Sequence, residues 1–417
     1  PAVIRRILRI VIQILRSFPA LILALTATFL FGLGTFAGTF AITLYTFAIM
    51  TKLTYEDASA ADVKAYQALR AMGVSKYVAY IHGILPEIIP GFLTNALYLL
   101  ETNVRHSSIL GYVGAGGIGL LLNEKISWLE YDKVGTILLM LFLTVCVIEY
   151  FSRYLAALIR KERTIKKEQA RLLLLFLAAL FLICTFTLSL PDFSRTSPQT
   201  LRNMFAGFLQ PDWSFFFSAE KDGLGYLLLE TVCIAFIGTV IGAIVSAPLA
   251  FLNTKRFVPA PVSFLFNLVI MVIRSVPFLV YGLIFIRVSG PGAFTGVLTL
   301  AVCSIGLLTK RFTEALDALD PRPYHALLAM GVRPLPAICH SVLPQLKPVF
   351  TSIILYRFDV NIREASVLGL VGAGGIGAPL IFSMNQYAWE KAGAIMLGLI
   401  LLVWFIDMVS EKIGAGN

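Results

Sequence analysis

The chain contains the same stretch of sequence twice, and this repeat constrains its fold more than any other feature. Asn103 and the glycine-rich run that ends at Gly119 recur as Asn361 and the run that ends at Gly377, at a separation of 258 residues (361 − 103). The same separation relates four further pairs of residues: Arg16 and Arg274, Met72 and Met330, Pro86 and Pro344, and Lys133 and Lys391. A repeat of this length without gaps indicates two copies of one fold.

The composition is that of a membrane protein. Hydrophobic residues make up 58% of the chain and charged residues 14%, whereas a soluble domain is about half apolar and about a quarter charged. A helix of about 20 apolar residues is long enough to cross a bilayer. Apolar runs that approach or exceed this length are Leu172–Leu190, Tyr226–Phe251, Val262–Ile286 and Gly393–Met408. We therefore expect an all-α, polytopic membrane protein.

The net charge of +10 does not indicate nucleic-acid binding. Its densest part, Arg160–Arg163 followed by Lys166 and Lys167, lies between two apolar runs, where an excess of positive charge marks a cytoplasmic loop. The sequence shows no basic surface interleaved with aromatic residues. The five cysteines are scattered, mostly in apolar runs, so we expect neither disulfides nor a metal site.

The repeat and the apolar runs together divide the chain into two modules. The second copy has six predicted spans with both ends in the cytoplasm, and the first has four, because the two spans that precede Pro259 have no counterpart before Pro1. We predict a first, N-terminally incomplete module at 1–158, a basic cytoplasmic linker at 159–171, and a second module at 172–417 with a cytoplasmic C-terminus. Two parallel membrane repeats are typical of a transport path between pseudo-symmetric halves.

Each copy has a polar stretch between two spans with the pattern of helix, glycine turn and helix. A glycine allows the tight turn, and a proline leads into the next span. The corresponding residues are Gln67, Ala68, Gly73 and Pro86 in the first copy, and His325, Ala326, Gly331 and Pro344 in the second. An amphipathic surface helix would explain one such stretch, whereas two at equivalent positions favour a docking site for a cytoplasmic partner.

The span after each of these stretches carries polar and ionisable residues, which are costly inside a membrane and usually face a pathway or a partner charge. They are Asn103, Arg105 and Ser108 in the first copy and Asn361, Arg363 and Ser366 in the second, while Arg16 and Arg274 add a cationic position on another span of each copy. One interpretation is a polar translocation path that accepts an anion. The other is structural ion pairing, for example between Arg363 and Asp359 at i,i+4 spacing.

A glycine-rich segment follows each of these spans. Its glycines are Gly114, Gly116, Gly117 and Gly119 in the first copy, and Gly372, Gly374, Gly375 and Gly377 in the second. They match the dinucleotide fingerprint G-x-G-x-x-G, but that fingerprint follows a strand in a βαβ unit, and here a membrane span precedes each copy. We expect a gate or a tight re-entrant turn instead. The sequence contains no G-x-x-x-x-G-K-[ST] phosphate loop, so the chain is not expected to be its own ATPase.

These motifs together resemble a known family. The spacing within both polar stretches resembles the conserved cytoplasmic loop of ABC-importer permeases, although Gln67 and His325 replace its glutamate. With the Asn-[Val/Ile]-Arg segments, the glycine-rich segments and Glu230-Thr231, the chain is similar to the phosphonate-transport permease family of bacterial ABC importers. Most members of that family carry one copy, and here two permease copies are fused in one chain.

This resemblance implies a type I ABC-importer transmembrane domain, built as a tandem pseudo-two-fold repeat in the bacterial inner membrane. It also implies two cytoplasmic ATPase subunits on the two loops, with ATP and Mg²⁺ bound to those subunits and no cofactor in this chain. A solute-binding protein outside the membrane would deliver a phosphonate or a related oxyanion, such as phosphite or a phosphate ester. The chain itself would be a permease surrounded by lipid, and not an enzyme.

Three alternatives stay open at this point. An ion-coupled secondary anion transporter can also be built from parallel repeats, but it would not need a pair of matched cytoplasmic loops. A membrane oxidoreductase would use the glycine-rich segments to bind a nicotinamide or flavin cofactor. Within ABC importers, permeases for methionine or phosphate are the nearest rivals. The permease sequence does not name the exact substrate, because selection takes place mostly on the binding protein.

Overall fold

The computed structural model describes residues 2–159, 167–188, 198–218, 220 and 223–415. It divides into two compact units, Pro1–Leu201 and Arg202–Asn417. Every regular element in the described residues is a helix, which confirms the all-α fold. The predicted linker at 159–171 lies partly outside the described residues. The helix that follows it is grouped with the first unit, and its assignment to the second module stays a prediction.

Nine helices of the described chain lie wholly within the first unit. They are α1 (Ala2–Ser17), α2 (Ala20–Phe31), α3 (Thr35–Ala60), α4 (Lys64–Ala71), α5 (Lys76–Gly83), α6 (Leu85–Leu110), α7 (Ile118–Ser127), α8 (Tyr131–Ile159) and α9 (Lys167–Phe186). Helix α3 packs against α2 and α6, and α6 packs against α8. Ile22, Leu99 and Leu141 are buried in this bundle, because each lies on the face that its helix turns towards a neighbour.

The second unit repeats this architecture and extends it. Helix α10 (Pro198–Leu209) leads into it, followed by α11 (Trp213–Phe216), α12 (Leu224–Asn253), α13 (Ala260–Ser275), α14 (Phe278–Ser289), α15 (Ala293–Ala318), α16 (Arg322–Ala329), α17 (Pro334–Ala337), α18 (Leu343–Leu368), α19 (Gly377–Asn385) and α20 (Trp389–Ala415). A π-helical turn, Ile338–Val342, joins α17 to α18. The centre of the unit is α12 packed against α15, with α18 against both.

Small residues bring α12 and α15 into close contact. A Cβ atom at Gly242 would lie 2.4 Å from the Cβ of Ser304, so no larger residue fits there without a shift of the helices. Ser246 lies one turn further along the same face, and its Oγ donates to the carbonyl of Ile305 at 3.2 Å. Close approach through small residues and hydrogen bonds between helices are the usual means of helix association in lipid, where apolar burial gives no advantage.

Two of the predicted spans are broken into two helices each. Helices α1 and α2 meet at an angle of 96°, and α13 and α14 meet at 85°. Pro19 and Pro277 stand immediately before α2 and α14 in extended conformation. A proline has no N–H to donate and disfavours helical geometry in the residue before it; Val276 accordingly has ψ 124°. The prediction of one continuous span over Val262–Ile286 is therefore wrong, because the chain turns after Ser275.

The helices of the described chain agree with a multi-pass membrane protein. Six are long and apolar enough to cross a membrane. The number rises to nine if each of three bent pairs counts as one span: α1 with α2, α13 with α14, and α5 with α6, which meet at 51°. These correspond to nine of the ten spans that the sequence predicts. The tenth, predicted at Leu172–Leu190, lies in α9, where a shorter apolar segment, Leu175–Phe186, is described.

Candidate translocation and coupling sites

The C-terminal half of α6 carries the polar residues that the sequence singles out in the first copy. Arg105 Nη1 lies 3.1 Å from Glu101 Oε1, one helical turn earlier. The side chains are 16% and 10% exposed, so the ion pair is largely removed from solvent. The acid precedes the base by four residues, which is the more favourable order on a helix.

Helix α18 carries the equivalent ion pair in the second copy. Arg363 bonds to Asp359, and their side chains are 13% and 10% exposed. The i,i+4 spacing predicts this ion pair, and the repeat extends the same prediction to Arg105 and Glu101. A shorter aspartate replaces the glutamate, yet the pairing is retained. Both arginines therefore have a carboxylate beside them, and each pair carries no net charge.

The two asparagines bind the neighbouring helix in the same way. Asn103 Nδ2 donates to Thr46 Oγ1 at 2.8 Å, and Asn361 Nδ2 donates to Ser304 Oγ at 2.9 Å. Thr46 and Ser304 are themselves equivalent in the repeat. Asn361 also donates to Thr239 Oγ1 of α12 at 2.7 Å. The side-chain carbonyl oxygens of both asparagines are buried and have no hydrogen-bond partner among the described residues, so each keeps one acceptor available.

The predicted serines are buried and bond to their own helices. Ser108 Oγ donates to the carbonyl of Arg105 at 2.6 Å, and Ser366 Oγ donates to the carbonyl of Arg363 at 2.7 Å. Each hydroxyl proton is thereby committed to the backbone. What these serines retain is their capacity to accept a hydrogen bond.

A second ion pair is present in only one of the two copies. Arg357 is buried on α18; its Nη2 lies 2.8 Å from Glu364 Oε2, and its Nε donates to Ser304 Oγ at 3.1 Å. The equivalent residues of the first copy are Leu99 and His106, and the His106 ring packs edge-on against Tyr45 with the ring centroids 5.4 Å apart. The sequence shows Arg357 as an addition, but its partner lies seven residues away, two turns along the same face and beyond the i,i+3 and i,i+4 spacings of adjacent side chains.

Arg16 and Arg274 lie in the last turns of α1 and α13, next to the two helix bends. Arg16 is buried. A Cβ atom at Gly306 would lie 3.0 Å from Arg274 Cγ, so a glycine on α15 makes room for this side chain. Both arginines thus occupy helix C-termini, where a cation is favoured, and they lie on other helices than the ion pairs of α6 and α18.

The glycine-rich segments form tight turns that no other residue would adopt without strain. Gly114, Gly116 and Gly117 have φ between +75° and +84°, and Gly372, Gly374 and Gly375 have φ between +77° and +86°. Cβ atoms added at the last glycines of the segments, Gly119 and Gly377, would lie 2.1 Å and 2.2 Å from the carbonyl oxygens of Ser108 and Ser366. The chain therefore turns back against the end of the helix it has just left.

Each turn is also fastened to neighbouring elements. Gly34 N donates to the carbonyl of Gly114 at 3.0 Å, and Gly292 N donates to that of Gly372 at 2.9 Å. In the second unit, Ile376 N additionally donates to Thr231 Oγ1 at 3.0 Å. Thr231 belongs to α12 and is 145 residues from Ile376, so the sequence gives no signal for this contact.

Ion pairs lie around the segment that connects α7 to α8. Lys133 Nζ lies 2.9 Å from Glu130 Oε1, and Lys125 Nζ lies 3.3 Å from Glu130 Oε2. The hydrogen bond from Lys133 lowers the pKa of the Glu130 carboxyl. The Glu124 carboxylate, followed by that of Glu130, raises the pKa of the Lys125 ammonium. These ion pairs are too exposed to stabilise the turn by much.

The polar stretches form the predicted helix, glycine turn and helix. Gly73 and Gly331 have φ +84° and +83°, and no atom lies within 4 Å of a Cβ atom added at either position. Met72 and Met330, beside them, are each 78% exposed. The predicted residues Gln67, Ala68, His325 and Ala326 are also exposed, and Pro86 and Pro344 occupy the first turns of α6 and α18. The two loops present open surfaces.

A groove of about 840 Å³ opens beside Asn103, between α3 and α6. It is lined by Thr46, Met50 and Phe92, among others. In the second unit the surface equivalent to this groove is covered by α12, and Leu308, the counterpart of Met50, is buried there. The same helix pair thus has an open face in one unit and a covered face in the other.

Comparison with known proteins gives both close and distant relatives. The phosphate-import permease protein of Mycolicibacterium smegmatis is 28% identical over 418 aligned residues, which cover 98% of this chain and 77% of that protein. The phosphite transport system permease protein of Stutzerimonas stutzeri is 36% identical over 44% of this chain and 67% of that protein. A putative cryptic phosphonate transport system permease protein of Escherichia coli is 37% identical over 28% of this chain and 96% of that protein.

Among solved structures, an amino acid ABC transporter and a methionine ABC transporter are 18% identical to this chain, with TM-scores of 0.40 and 0.42. Each covers 46% of this chain and nearly all of the other, 95% and 96%. The family model described as "Binding-protein-dependent transport system inner membrane component" matches residues 1–165 and 238–413, one segment in each copy of the repeat. The chain therefore belongs to the family of inner-membrane components of binding-protein-dependent transport systems, with two copies of the permease fused in one polypeptide.

Proposed function

We propose that the chain is the transmembrane permease subunit of an ATP-driven importer for phosphonates or related phosphorus oxyanions, such as phosphite and phosphate esters. The observation that carries this proposal is the pair of equivalent arginine sites, Arg105 on α6 and Arg363 on α18. A guanidinium stays charged at any working pH and offers a fork of donors that suits phosphonate oxygens. The relatives named for phosphate, phosphite and phosphonate transport support the same substrate class.

The translocation path in this proposal is polar but binds weakly. Arg105 and Arg363 supply the principal contacts, Arg16 and Arg274 supply further positive charge, and Asn103, Ser108, Asn361 and Ser366 supply neutral polar groups. A tight site inside the permease would hinder release, so transient contacts serve import better than a deep pocket. Ion pairing of both arginines supports this, because the substrate must compete for each guanidinium.

Two cytoplasmic ATPase subunits dock on the loops around Gly73 and Gly331, and ATP and Mg²⁺ bind to those subunits and not to this chain. The exposure of α4 and α16, in which no residue is buried, supports this assignment. Each loop leads through a proline directly into α6 or α18. A shift of the loop would therefore be carried along the helix to its ion pair.

A solute-binding protein on the outer face of the bacterial inner membrane delivers the substrate. Helices α6 and α18 have 26 residues each and are therefore about 39 Å long, which is enough to cross the membrane. Since they begin at the cytoplasmic loops, the glycine-rich turns at their other ends lie near the outer face and act as its gate. The same reasoning places the C-terminus, after α20, in the cytoplasm.

Uptake into proteoliposomes tests the proposed function. The full-length permease is reconstituted with its ATPase, and the binding protein is supplied with radiolabelled methylphosphonate, phosphite or phosphate. We expect uptake of at least one of these anions that requires both ATP and the binding protein and persists when ionophores collapse the ion gradients. Uptake that follows an ion gradient without ATP would instead identify a secondary transporter.

The arginine sites are tested in the same assay with Arg105→Gln and Arg363→Gln combined. We expect the rate of uptake to fall at least tenfold, while the amount of protein in the membrane stays within about twofold of the wild type. A parallel fall of both quantities would show that the arginines serve only as structural ion-pair partners.

A further inference from the structure

The two ion pairs of α6 and α18 share their spacing and their low exposure. Each has a carboxylate one turn before the arginine, and all four side chains are between 10% and 16% exposed. Neighbouring positions on the same helices differ between the copies: Leu99 and His106 in one correspond to Arg357 and Glu364 in the other. The acid beside the transport arginine is thus retained although its surroundings have changed.

The two acids cancel the positive charge that the arginines would offer to an anion. From Leu99 to Leu110, α6 carries one carboxylate and one arginine, and from Tyr356 to Leu368, α18 carries two of each. Neither segment has a net positive charge to attract an anion. An arriving dianion meets the field of a carboxylate within one helical turn of each guanidinium, and like charges at that distance repel strongly in a partly buried site.

Donor geometry points the same way. A guanidinium has five N–H donors in a fixed fork that can bind two oxygens of one anion side by side. Each carboxylate contacts one of these donor groups: Glu101 Oε1 lies 3.1 Å from Arg105 Nη1, and Asp359 accepts a hydrogen bond from Arg363 Nη2. A phosphonate that binds the fork with two oxygens must displace the carboxylate or share the guanidinium with it.

We propose that Glu101 and Asp359 act as internal competitors of the transported anion and keep its binding weak and reversible. This inference rests on the proposed function, because it assigns the arginines to the path. It adds that the strength of binding is set by the acids as much as by the bases. Removal of the acids takes from each guanidinium the carboxylate one turn away that competes with a phosphorus oxyanion for its donors.

Glu149 provides a matched control on another helix. It is buried on α8 and pairs with Arg153 at the same i,i+4 spacing. Its arginine side chain is 65% exposed, and neither residue belongs to the proposed path. The substitution Glu149→Gln thus removes the same kind of intramembrane charge without changing the transport arginines.

The test measures equilibrium binding of [³³P]phosphate and [¹⁴C]methylphosphonate to the full-length permease with its ATPase in nanodiscs. We expect Glu101→Gln combined with Asp359→Asn to bind at least one of these anions at least tenfold more tightly than the wild type. Uptake at saturating binding protein should become slower, because release is delayed. Glu149→Gln should bind as the wild type does, and the variant lacking both arginines should show no saturable binding.

An intact acid variant that binds neither anion more tightly would overturn the inference and make the carboxylates purely structural. Equally tighter anion binding by Glu149→Gln would overturn the inference as well. The change would then follow from the loss of any negative charge in the membrane and not from the acids beside Arg105 and Arg363. If the double variant does not accumulate, the single variants are measured, and at least threefold tighter binding is expected from each. The proposed function fails separately, when the wild type shows no ATP-dependent uptake of any of the three anions.

Discussion

At Gly377 the chain has room for a hydrogen atom and for nothing larger. A Cβ atom there would lie 2.2 Å from the carbonyl oxygen of Ser366. We expect Gly377→Ala to lower the free energy of unfolding by about 1–3 kcal/mol, as overpacking of a tight contact does. Thermal unfolding of the purified protein measures this. Gly135→Ala is the control, since no atom lies within 4 Å of a Cβ atom at Gly135 on α8; an equal loss there would contradict the steric explanation.

The hydroxyl of Thr231 holds the second glycine turn in place by accepting a hydrogen bond from Ile376 N. Thr231→Val keeps the shape of the side chain but leaves this buried N–H without its acceptor, which costs about 1–3 kcal/mol. We expect a lower unfolding temperature and slower uptake, because the turn is part of the proposed gate. Thr144→Val is the control, since the Thr144 hydroxyl is exposed and bonds its own helix. Unchanged stability of Thr231→Val would show that the turn is held by its glycines alone.

The sequence predicts contacts at this scale only when they are local or repeated. The i,i+4 spacing gives the ion pair of Arg363 with Asp359, and the repeat transfers it to Arg105 and Glu101. The bond between Thr231 and Ile376 joins residues that only the packing of α12 brings together. The serines show a different limit, because nothing in their spacing reveals that their protons bond to their own backbone.

At the scale of helices and their connections, each of the two proposed docking loops depends on the backbone conformation of one glycine. Gly73 and Gly331 have positive φ in open space, so a β-branched residue there meets no neighbour but strains the turn. We expect Gly73→Val or Gly331→Val to reduce uptake at least tenfold by separating the ATPase from the permease, with normal membrane insertion. Uptake and ATP hydrolysis measured together check this.

The control for this prediction is Gly290→Val. Gly290 has φ +79° and is also free of neighbours, but it lies in the connection between α14 and α15. It therefore carries the same backbone strain away from the proposed docking surface. If all three variants lose uptake equally, strain alone explains the result and the docking assignment is wrong.

The two helix bends show that the length of an apolar run does not by itself predict a continuous helix. Val262–Ile286 is long enough for one span, and it is apolar on both sides of the break that follows Arg274 and Ser275. The prolines Pro19 and Pro277 are the local signal, but a proline inside an apolar run is compatible with a kink as well as with a turn of 85–96°. The final angle depends on how α2 and α14 pack against α3 and α15, which the sequence does not show.

On the scale of the whole molecule, the two copies share a fold but differ in buried charge. Glu364→Gln would leave Arg357 buried without its carboxylate, and we expect it to lower the free energy of unfolding by about 3 kcal/mol. Arg357→Leu combined with Glu364→His installs the residues of the first copy and should recover most of that loss. Denaturation of the wild type, of Glu364→Gln and of the double variant measures both changes. If the double variant has a lower free energy of unfolding than Glu364→Gln, then Arg357 and Glu364 contribute more to stability than the neutralisation of each other's charge.

The repeat is the reason that so much of this molecule follows from its sequence. It gives the equivalent ion pairs, glycine turns and loops, since each feature seen in one copy predicts the other. It gives less about the surroundings of equivalent residues. Asn103 and Asn361 correspond in the repeat, yet Asn103 lies beside an open groove and Asn361 donates to Thr239 of α12.

The neutrality of the ion pairs has an electrical consequence. Moving one elementary charge through a membrane potential of about 100 mV involves about 2.3 kcal/mol. Because Arg105 with Glu101 and Arg363 with Asp359 each sum to zero, displacement of these pairs through the field performs no electrical work. In the proposed transport cycle, these two ion pairs therefore add nothing to the current carried per molecule imported by reconstituted vesicles.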